Sequence, residues 1–225
     1  MKTTNTCRVE RLDSMGDDLS VVDAARVSFA RQSAWADGDH TLVERDLRLI
    51  GYLARNRHWT PFSQVTVKLR IAAPVFVARQ WMRSNVGVSR NEVSRRYVDD
   101  APEFFVPDAI RARPESSVKQ GSGGEHHDCR YWRGKMLEMC EHALSVYDTM
   151  IRDGVAPEQA RMILPLAHMT EWIETGSLAY YARVCGLRAD GHAQAEIRDL
   201  AALVAAAVEP VAPVSWRALM EGAHD

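Results

Sequence analysis

One segment of the chain alternates so strictly between apolar and polar side chains that it constrains the fold more than any other. Its apolar positions are Val65, Val67, Leu69 and Ile71, and its polar positions are Thr66, Lys68 and Arg70. Because successive side chains of a β-strand point to opposite faces of the sheet, this period of two predicts a strand with one buried face. Such a strand needs paired neighbours and an apolar layer packed against that face.

Helical spacing of apolar residues accounts for most of the remaining chain. The pattern predicts helices over residues 18–29, 41–56, 75–83, 129–153, 177–185 and 192–208. In the second of these, we expect Val43, Leu47, Ile50 and Leu53 to face inward. Further strands are predicted at residues 7–12 and 169–173, and a long polar loop at 84–97. The glycines between residues 114 and 125 predict a mobile surface loop.

Length and charge limit the classes of protein to consider. With 225 residues, 46% of them apolar and 26% charged, the chain can bury one substantial core, so we expect a single domain over residues 1–225. A net charge of -2 argues against a nucleic-acid partner, because nucleic-acid-binding proteins carry a basic excess. The chain lacks an apolar run near the roughly 18 residues of a membrane span and the apolar core of a signal peptide. We therefore expect a cytoplasmic protein with no membrane partner.

The cysteines and histidines do not form a recognisable metal site. The four cysteines are Cys7, Cys129, Cys140 and Cys185, and they form neither a C-x-x-C pair nor a zinc-ligand series. We expect them to be reduced, structural thiols. His126, His127 and Cys129 lie close together in the sequence, but no fourth ligand has suitable spacing, so we assign no metal. The glycines at 121–124 match neither a Walker loop nor a dinucleotide fingerprint.

The densest group of polar and charged side chains lies between residues 79 and 97. Five arginines, one carboxylate and several amide or hydroxyl groups fall within these nineteen residues. Such groups can bind a phosphate by charge-assisted hydrogen bonds and a flat heterocycle by paired hydrogen bonds. The alternative is a solvated charged loop at a helix end, which the pattern alone favours because arginine-rich loops are common on surfaces.

Two shorter clusters carry similar groups. Residues 187–194 contain Arg188 and Asp190, and Asp190 can cap the following helix, whose N-terminus attracts an anion. The alternative there is a capped turn with Arg188 exposed. Residues 56–62 contain His58 and Thr60, and the alternative for them is an ordinary turn between a helix and a strand.

Taken in order, these clusters resemble the flavin-dependent thymidylate synthases. That family carries the segments A-R-V-S-F, H-x-T-P-F, P-x-F-V-A-R-Q-W, R-H-R followed by seven residues and a serine, A-R-x-x-L-P-L, and L-R-A-D-x-H-A-Q. The matching segments of this chain are residues 25–29, 58–62, 74–81, 83–94, 160–166 and 187–194. Each segment alone is weak, but six in the same order leave little room for accident.

The departures from the family pattern lie in two places. Where the family has R-H-R, this chain has Arg83-Ser84-Asn85, and eight residues rather than seven separate Asn85 from Ser94. Positions that often carry asparagine and arginine for flavin contact hold Ser177 and Ala179 here, and another asparagine position holds Arg183. The departures therefore fall on the expected flavin environment.

The resemblance implies a fold, an assembly and a set of cofactors. The fold is α+β, a twisted sheet flanked by helices, and the assembly is a homotetramer with active sites where subunits meet. Reduced FAD and methylenetetrahydrofolate meet a uridine nucleotide, and NADPH is the reductant. No covalent protein nucleophile is required, which agrees with the scattered cysteines.

The resemblance also assigns roles to residues. Arg188 matches the family arginine near N3 and O4 of the uracil, where a fixed cation lowers the barrier as negative charge builds on the ring. Phosphate and sugar binding fall to Gln80, Arg83, Glu92, Ser94, Arg96 and Arg161. Flavin contacts fall to Ser28, His58, Thr60, Arg83, Ser84, Asn85, Arg183 and His192.

Three functions fit this pattern. The first is methylation of dUMP at carbon 5; the second is methylation of UMP as well, as in the methylase of polyoxin-type nucleoside antibiotic biosynthesis. The third is a nucleotide- or nucleic-acid-binding protein that keeps the scaffold without the chemistry. We predict methylation of both dUMP and UMP, because a longer signature loop leaves room for a 2′-hydroxyl. The insertion can instead bulge into solvent or reshape only the flavin pocket, which leaves strict dUMP use.

Overall fold

A four-stranded antiparallel sheet lies at the centre of the fold, which a computed structural model describes for residues 1–36, 40–98, 100–114 and 121–221. Residues 115–120, within the segment predicted as a mobile surface loop, lie outside the described residues. The strands are β1 (Lys2–Thr4), β2 (Arg8–Met15), β3 (Thr66–Pro74), β4 (Val88–Glu92), β5 (Glu103–Phe105) and β6 (Met169–Ser177). The large sheet has the order β2-β3-β6-β4, and β1 pairs in parallel with β5.

Helices connect the strands along the chain and pack against the sheet. They are α1 (Asp18–Arg26), α2 (Glu44–Arg55), α3 (Trp59–Phe62), α4 (Val75–Trp81), α5 (Cys129–Arg152), α6 (Pro157–Ala160), α7 (Leu178–Ala189), α8 (Ala195–Val208) and α9 (Pro213–Glu221). Single 3₁₀ turns follow α1, α6 and α8 at Val27–Phe29, Arg161–Ile163 and Glu209–Val211.

The alternating segment forms β3, as predicted. Val67, Leu69 and Ile71 are fully buried, whereas Lys68 and Arg70 are exposed. β3 pairs antiparallel with β2 on one side, and with β6 along its entire length on the other. The strand is therefore held between two neighbours, with one face packed on the core.

Helices α2, α7 and α8 supply the apolar layer that the sheet requires. One cluster of buried side chains joins Leu69 and Ile71 of the sheet with Ile50 of α2, Tyr181 of α7 and Ile197 of α8. Burying such surface stabilises a fold by about 25 cal/mol per Å². A smaller cluster, formed by Phe104, Cys140, Tyr147, Ala160 and Leu164, packs α5 against α6 and β5. This mixture of sheet and helices confirms the α+β prediction.

Two predictions about elements were wrong in detail. Residues 84–97 were expected to form a loop, yet they contain β4, which pairs antiparallel with β6. Because β4 lies at the sheet edge and exposes most of its side chains, no apolar period marks it. Leu47 of α2 faces solvent, whereas Ile50 is buried as predicted. The inward position beside Leu47 belongs to Asp46, which is buried and paired with Arg26.

The cysteines behave as structural thiols. All four lie within the described residues and are free, and Cys7, Cys140 and Cys185 are buried. Burial raises the pKa of the Cys7 thiol to about 12 and also raises the pKa of Cys140, so both stay protonated at neutral pH. Among the residues described, no helix is both long and apolar enough to cross a membrane.

Candidate active site

Three adjoining clefts meet at Arg57, in the turn between α2 and α3. The α7 cleft has a volume of about 1230 Å³ and lies between α4 and residues 186–194. The tyrosine cleft, of about 610 Å³, includes Tyr180 and has mainly apolar walls. The α1 cleft, of about 1190 Å³, includes Ser28 and Thr60. An elongated ligand with a flat ring and charged groups can extend from one cleft into the next.

The turn at Arg57 adopts an uncommon backbone conformation. Arg57 has a φ of 56°, in the left-handed region that non-glycine residues rarely adopt and that is enriched at functional sites. The next residue, His58, lines the tyrosine cleft and the α1 cleft. The sequence indicated residues 56–62 as a group but not Arg57 in particular, because the left-handed backbone conformation of a residue other than glycine cannot be read from a single sequence.

Arg188, at the end of α7, is held in place by its neighbours in the α7 cleft. Its Nη2 donates to the carbonyl oxygen of Gln80 at 2.8 Å, and Nε2 of Gln80 donates to Oε1 of Gln194 at 2.7 Å. Nε of Arg188 is buried and has no hydrogen-bond partner in the part of the chain that the structure describes. Burial lowers the pKa of Arg188, and nearby Arg83 lowers it further. The guanidinium of Arg188 is thus held in a fixed position on the wall of the α7 cleft.

The turn after Arg188 is shaped by Asp190. Its Oδ1 accepts from the backbone N of His192 at 2.7 Å and lies 3.0 Å from Nδ1 of His192. These bonds lower the pKa of Asp190, the backbone bond most. Asp190 was expected to cap α8, but it closes the turn after α7 instead, and Gln194 occupies the position before α8. The carboxylate therefore orients His192 at the rim of the α7 cleft.

A fourth cleft gathers the positive charge of the signature segment. This arginine cleft, of about 570 Å³, includes Glu92, Ser94, Arg95, Arg96 and Arg161. Oε1 of Glu92 accepts from Oγ1 of Thr170 at 2.6 Å, which orients the carboxylate. Three arginines beside one oriented carboxylate suit a ligand with a phosphate and hydroxyl groups.

His168 also lines the arginine cleft, and sequence reasoning missed it. Its Nδ1 lies 2.8 Å from the carbonyl oxygen of Pro165. Burial lowers the pKa of His168, and Arg95 lowers it further, while the Pro165 carbonyl and Glu92 act in the opposite direction. The imidazole is therefore neutral at pH 7. The one feature of the sequence that could have indicated His168 as a site residue is its position two residues after the A-R-x-x-L-P-L segment.

The signature residues Arg83, Ser84 and Asn85 form the turn between α4 and β4. They are not among the residues that line the four clefts, although the next two residues, Val86 and Gly87, line the tyrosine cleft. Nη2 of Arg183 donates to the carbonyl oxygen of Val86 at 2.7 Å, so α7 holds this turn from the other side.

The histidine pair considered as a metal site lies at the start of α5. The rings of His126 and His127 stack at 4.2 Å between centroids, and Asp128 rather than Cys129 completes a group whose ligand atoms lie within 4.8 Å of one another. Sγ of Cys129 instead accepts from the backbone N of Ile110. None of these three residues lines any of the four clefts described above.

Comparison with known proteins identifies the family. The family profile described as "Thymidylate synthase complementing protein" matches residues 11–214. A flavin-dependent thymidylate synthase of Thermus thermophilus is 38% identical over 219 residues, which cover 96% of this chain and 77% of that protein. The chain belongs to the flavin-dependent thymidylate synthase family. The enzyme from Thermosipho africanus is 35% identical over 217 residues, or 95% of this chain and 90% of that one.

Solved structures support the same membership in the flavin-dependent thymidylate synthase family. The UMP/dUMP methylase PolB from Streptomyces cacaoi, bound with 5-Br dUMP, superposes with a TM-score of 0.86 at 28% identity, covering 98% of this chain and 97% of PolB. The same protein bound with 5-Br UMP gives a TM-score of 0.85 at 28% identity. The resemblance to this family, and the prediction of an enzyme of this type with a flavin cofactor, are therefore confirmed.

The structure distributes the predicted site residues of this flavin-dependent thymidylate synthase family member over several clefts. Glu92, Ser94, Arg96 and Arg161 come together in the arginine cleft. Gln80, Arg183, Arg188 and His192 come together in the α7 cleft. Ser28, His58 and Thr60 come together in the α1 cleft. Within one chain, the residues predicted to bind the nucleotide, apart from Arg83, thus lie in two separate clefts.

Proposed function

We propose that this protein is an FAD-dependent enzyme that reductively methylates carbon 5 of dUMP and UMP. In the net reaction, the methylene carbon of methylenetetrahydrofolate bonds to carbon 5, the C5 proton is lost, and two electrons from NADPH reduce the methylene to a methyl group. Tetrahydrofolate and NADP⁺ are the other products. Family membership supports the chemistry. The likeness to a UMP/dUMP methylase solved with analogues of both nucleotides supports the substrates.

The observation that carries this proposal is the position of Arg188. A uracil becomes nucleophilic at carbon 5 when negative charge builds on its ring, so a fixed cation beside N3 and O4 stabilises the transition state. Arg188 is fixed through the backbone carbonyl of Gln80, and its side chain lines the α7 cleft. A donor held in advance costs no reorganisation when the charge develops.

The adjoining clefts fit FAD by their chemistry. The tyrosine cleft offers mainly apolar walls for a flat ring system, and Arg57 and Arg183 stand beside it as cations for a pyrophosphate. When bound, reduced FAD supplies the electrons that reduce the transferred carbon. Of the residues that the family resemblance assigns to FAD, those that line these clefts are Ser28, His58, Thr60, Arg183 and His192, whereas Arg83, Ser84 and Asn85 form the turn beside them.

The arginine cleft is suited to the phosphate and sugar of the substrate. Arg96 and Arg161 offer guanidinium groups that bind phosphate oxygens in pairs. Ser94 adds a hydroxyl. Arg83 lies on the turn after α4, close enough to Arg188 to lower the pKa of Arg188. Glu92, oriented by Thr170 through one oxygen, can accept with the other from the 3′-hydroxyl, which dUMP and UMP share.

A homotetramer explains why these nucleotide-binding residues occupy separate clefts in one chain. If two subunits meet so that the arginine cleft of one faces the α7 cleft of another, a single nucleotide can contact both. Large apolar side chains are exposed beside the clefts, including Phe29 at 76% and Met162 at 79%, as expected of surfaces that another subunit covers. We place this assembly in the cytoplasm, without nucleic-acid or membrane partners.

The absorbance spectrum of the purified protein gives the first test. Bound FAD produces a yellow protein, and a reaction with dUMP, methylenetetrahydrofolate and NADPH should yield a product heavier than dUMP by one CH₂ group. A colourless protein that takes up no added FAD would overturn the flavin assignment. A yellow protein that leaves dUMP unchanged would favour a scaffold that binds without methylating.

A further inference from the structure

A buried ion pair joins strands β4 and β6 beneath the signature turn. Arg90 of β4 and Glu174 of β6 are direct cross-strand partners, and Nε of Arg90 donates to Oε2 of Glu174 at 2.8 Å. Glu174 is fully buried. Nε1 of Trp172 donates to the same oxygen at 2.9 Å, and Nε1 of Trp81 lies 3.1 and 3.2 Å from the two carboxylate oxygens. The carboxylate is thus compensated by one cation and two indole N–H groups.

The remaining nitrogens of Arg90 reach the signature turn. Nη1 donates to Oδ1 of Asn85 at 3.1 Å, and Nη2 donates to the backbone carbonyl of Ser84 at 2.8 Å. Nη2 also donates to the hydroxyl of Tyr180 at 2.5 Å. A single guanidinium therefore ties the sheet to the two positions at which this chain departs from the R-H-R signature, and to a tyrosine of the tyrosine cleft.

The turn held by Arg90 forms part of the cleft wall. Val86 and Gly87 line the tyrosine cleft, and the carbonyl oxygen of Gly87 accepts from the backbone N of Ser177 at 3.0 Å. Gly87 has a φ of 86°, and a Cβ there would lie 3.1 Å from Oγ of Ser177. Arg90 is not among the residues that line this cleft, so any effect on a ligand passes through the residues it holds, the turn and Tyr180.

Energetics favour a positioning role over a purely stabilising one. Removing two charges from water costs about as much as their attraction returns, so an apolar pair of similar volume stabilises a core as well as a buried ion pair does. An apolar pair could not, however, bond the Ser84 carbonyl and the Asn85 side chain. What Arg90 provides, and an apolar residue cannot, is the pair of hydrogen bonds to Ser84 and Asn85.

We propose that Arg90 is a positioning residue that fixes the turn at Ser84 and Asn85, and with it the next two residues, Val86 and Gly87, which line the proposed flavin-binding cleft. This inference rests on the proposed FAD-dependent function. It also explains how the altered signature keeps a defined shape. The family segment R-H-R has an arginine where this chain has Asn85, and Arg90 of β4 supplies a cation to that position. Glu174 neutralises that cation, so the cleft gains order without gaining net charge.

Paired variants separate positioning from stability. Arg90→Met alone leaves Glu174 buried and uncompensated, so it is expected to lower Tm. The double variant Arg90→Met with Glu174→Gln removes both charges but keeps a side-chain oxygen for the indole N–H groups of Trp81 and Trp172, so it should recover most of the lost Tm. If Arg90 positions the turn, the double variant still binds FAD at least about tenfold more weakly than wild type, the equivalent of one lost hydrogen bond to a charged group. Flavin fluorescence titration measures the Kd.

Two further variants complete the design. Arg90→Lys keeps the charge beside Glu174 but cannot bond Ser84 and Asn85 together, so it should stay folded and share the weakened FAD binding. Arg70→Met is the matched control, because Arg70 belongs to the same sheet but forms exposed pairs with Glu10 and Glu171. Its FAD affinity should equal that of wild type.

The outcomes distinguish this inference from the proposed function. Wild-type FAD affinity in Arg90→Lys, or in a double variant with recovered Tm, would overturn the positioning role while leaving the proposed function intact. Failure of the wild-type protein itself to bind FAD would overturn both.

Discussion

Arg188, the proposed catalytic cation, is held in place at some cost to the stability of the folded protein. Its buried Nε has no partner in the described part of the chain, and an unsatisfied buried donor costs about 1–3 kcal/mol. The hydrogen bond to Gln80 holds the guanidinium in advance of any ligand. A cation held in advance is what catalysis by electrostatic preorganisation requires.

Replacing Arg188 by alanine should separate catalysis from folding. We expect Arg188→Ala to retain FAD and the wild-type assembly while losing at least about 100-fold in the rate of nucleotide methylation. Single-turnover rates at saturating nucleotide measure this directly. Arg152→Ala, which removes an arginine at the exposed end of α5, should methylate at the wild-type rate. Near-normal turnover by Arg188→Ala would refute the catalytic role.

His168 gives the folded protein a pH dependence with a definite sign. Burial lowers its pKa below the ordinary value of 6.5, so the unfolded chain binds a proton at a pH where the folded protein does not. The contribution of His168 to stability is complete above pH 6.5 and is lost as the pH falls from there toward the lowered folded pKa. Glu92 and Arg95 act on this imidazole in opposite directions.

Urea unfolding at two pH values tests this sign. The free energy of unfolding of wild type should fall between about pH 7.5 and about pH 5.5, and the fall should be smaller in His168→Gln. His142→Gln, on the exposed face of α5, serves as the control and should follow wild type. An equal fall in wild type and His168→Gln would contradict the assignment.

Among the strands, the burial pattern of the side chains determined which elements could be predicted from the sequence. β3 was predictable because one of its faces is buried and the other exposed, which produces a period of two. β4 was not, because it is an edge strand with mainly exposed polar side chains, so no apolar period marks it. The family resemblance predicted Glu92, on β4, as a site residue. It could not show that Arg90, two residues earlier, bonds a glutamate on β6.

Gly176, near the end of β6, illustrates a tight contact that the same elements impose. A Cβ on Gly176 would lie 2.6 Å from Cδ1 of Tyr180 and 3.0 Å from Cε2 of Tyr181. Gly176→Ala should therefore destabilise the protein by about 1–3 kcal/mol, as overpacking of a core does. In α5, a Cβ on Gly134 would meet nothing within 4 Å. Gly134→Ala should instead stabilise by up to about 1 kcal/mol. Equal Tm values for the two variants would contradict this packing.

At the scale of the whole molecule, the site depends on contacts that no local pattern records. The resemblance supplied the residues of the arginine cleft and of the α7 cleft in one chain order. It did not show that these residues occupy separate clefts, because chain order carries no distances. The α+β fold brings residues 57, 80, 183 and 188–194 together at one end of α7. The distribution over two clefts is what leads to the proposed assembly.

A charge at Met162, an exposed side chain on the wall of the arginine cleft, tests the proposed assembly. Met162→Glu should disrupt the proposed subunit contacts, so light scattering after size exclusion should show a species smaller than the wild-type protein. Met15→Glu is the control, because Met15 is also exposed, at 62%, but lies at the end of β2 away from the clefts. A monomeric wild-type protein with full activity would rule out shared active sites.

Parallel methylation assays with dUMP and UMP test whether the enzyme methylates both nucleotides. The extra residue between Asn85 and Ser94 lies in the segment that leads to Glu92, and accommodating a hydroxyl without a dedicated bond discriminates only modestly. With FAD, methylenetetrahydrofolate and NADPH present, both nucleotides should gain a 5-methyl group, with catalytic efficiencies within about 100-fold of each other. Mass spectrometry of the products gives the answer. Detection of 5-methyl-dUMP without any 5-methyl-UMP under the same conditions would contradict the account.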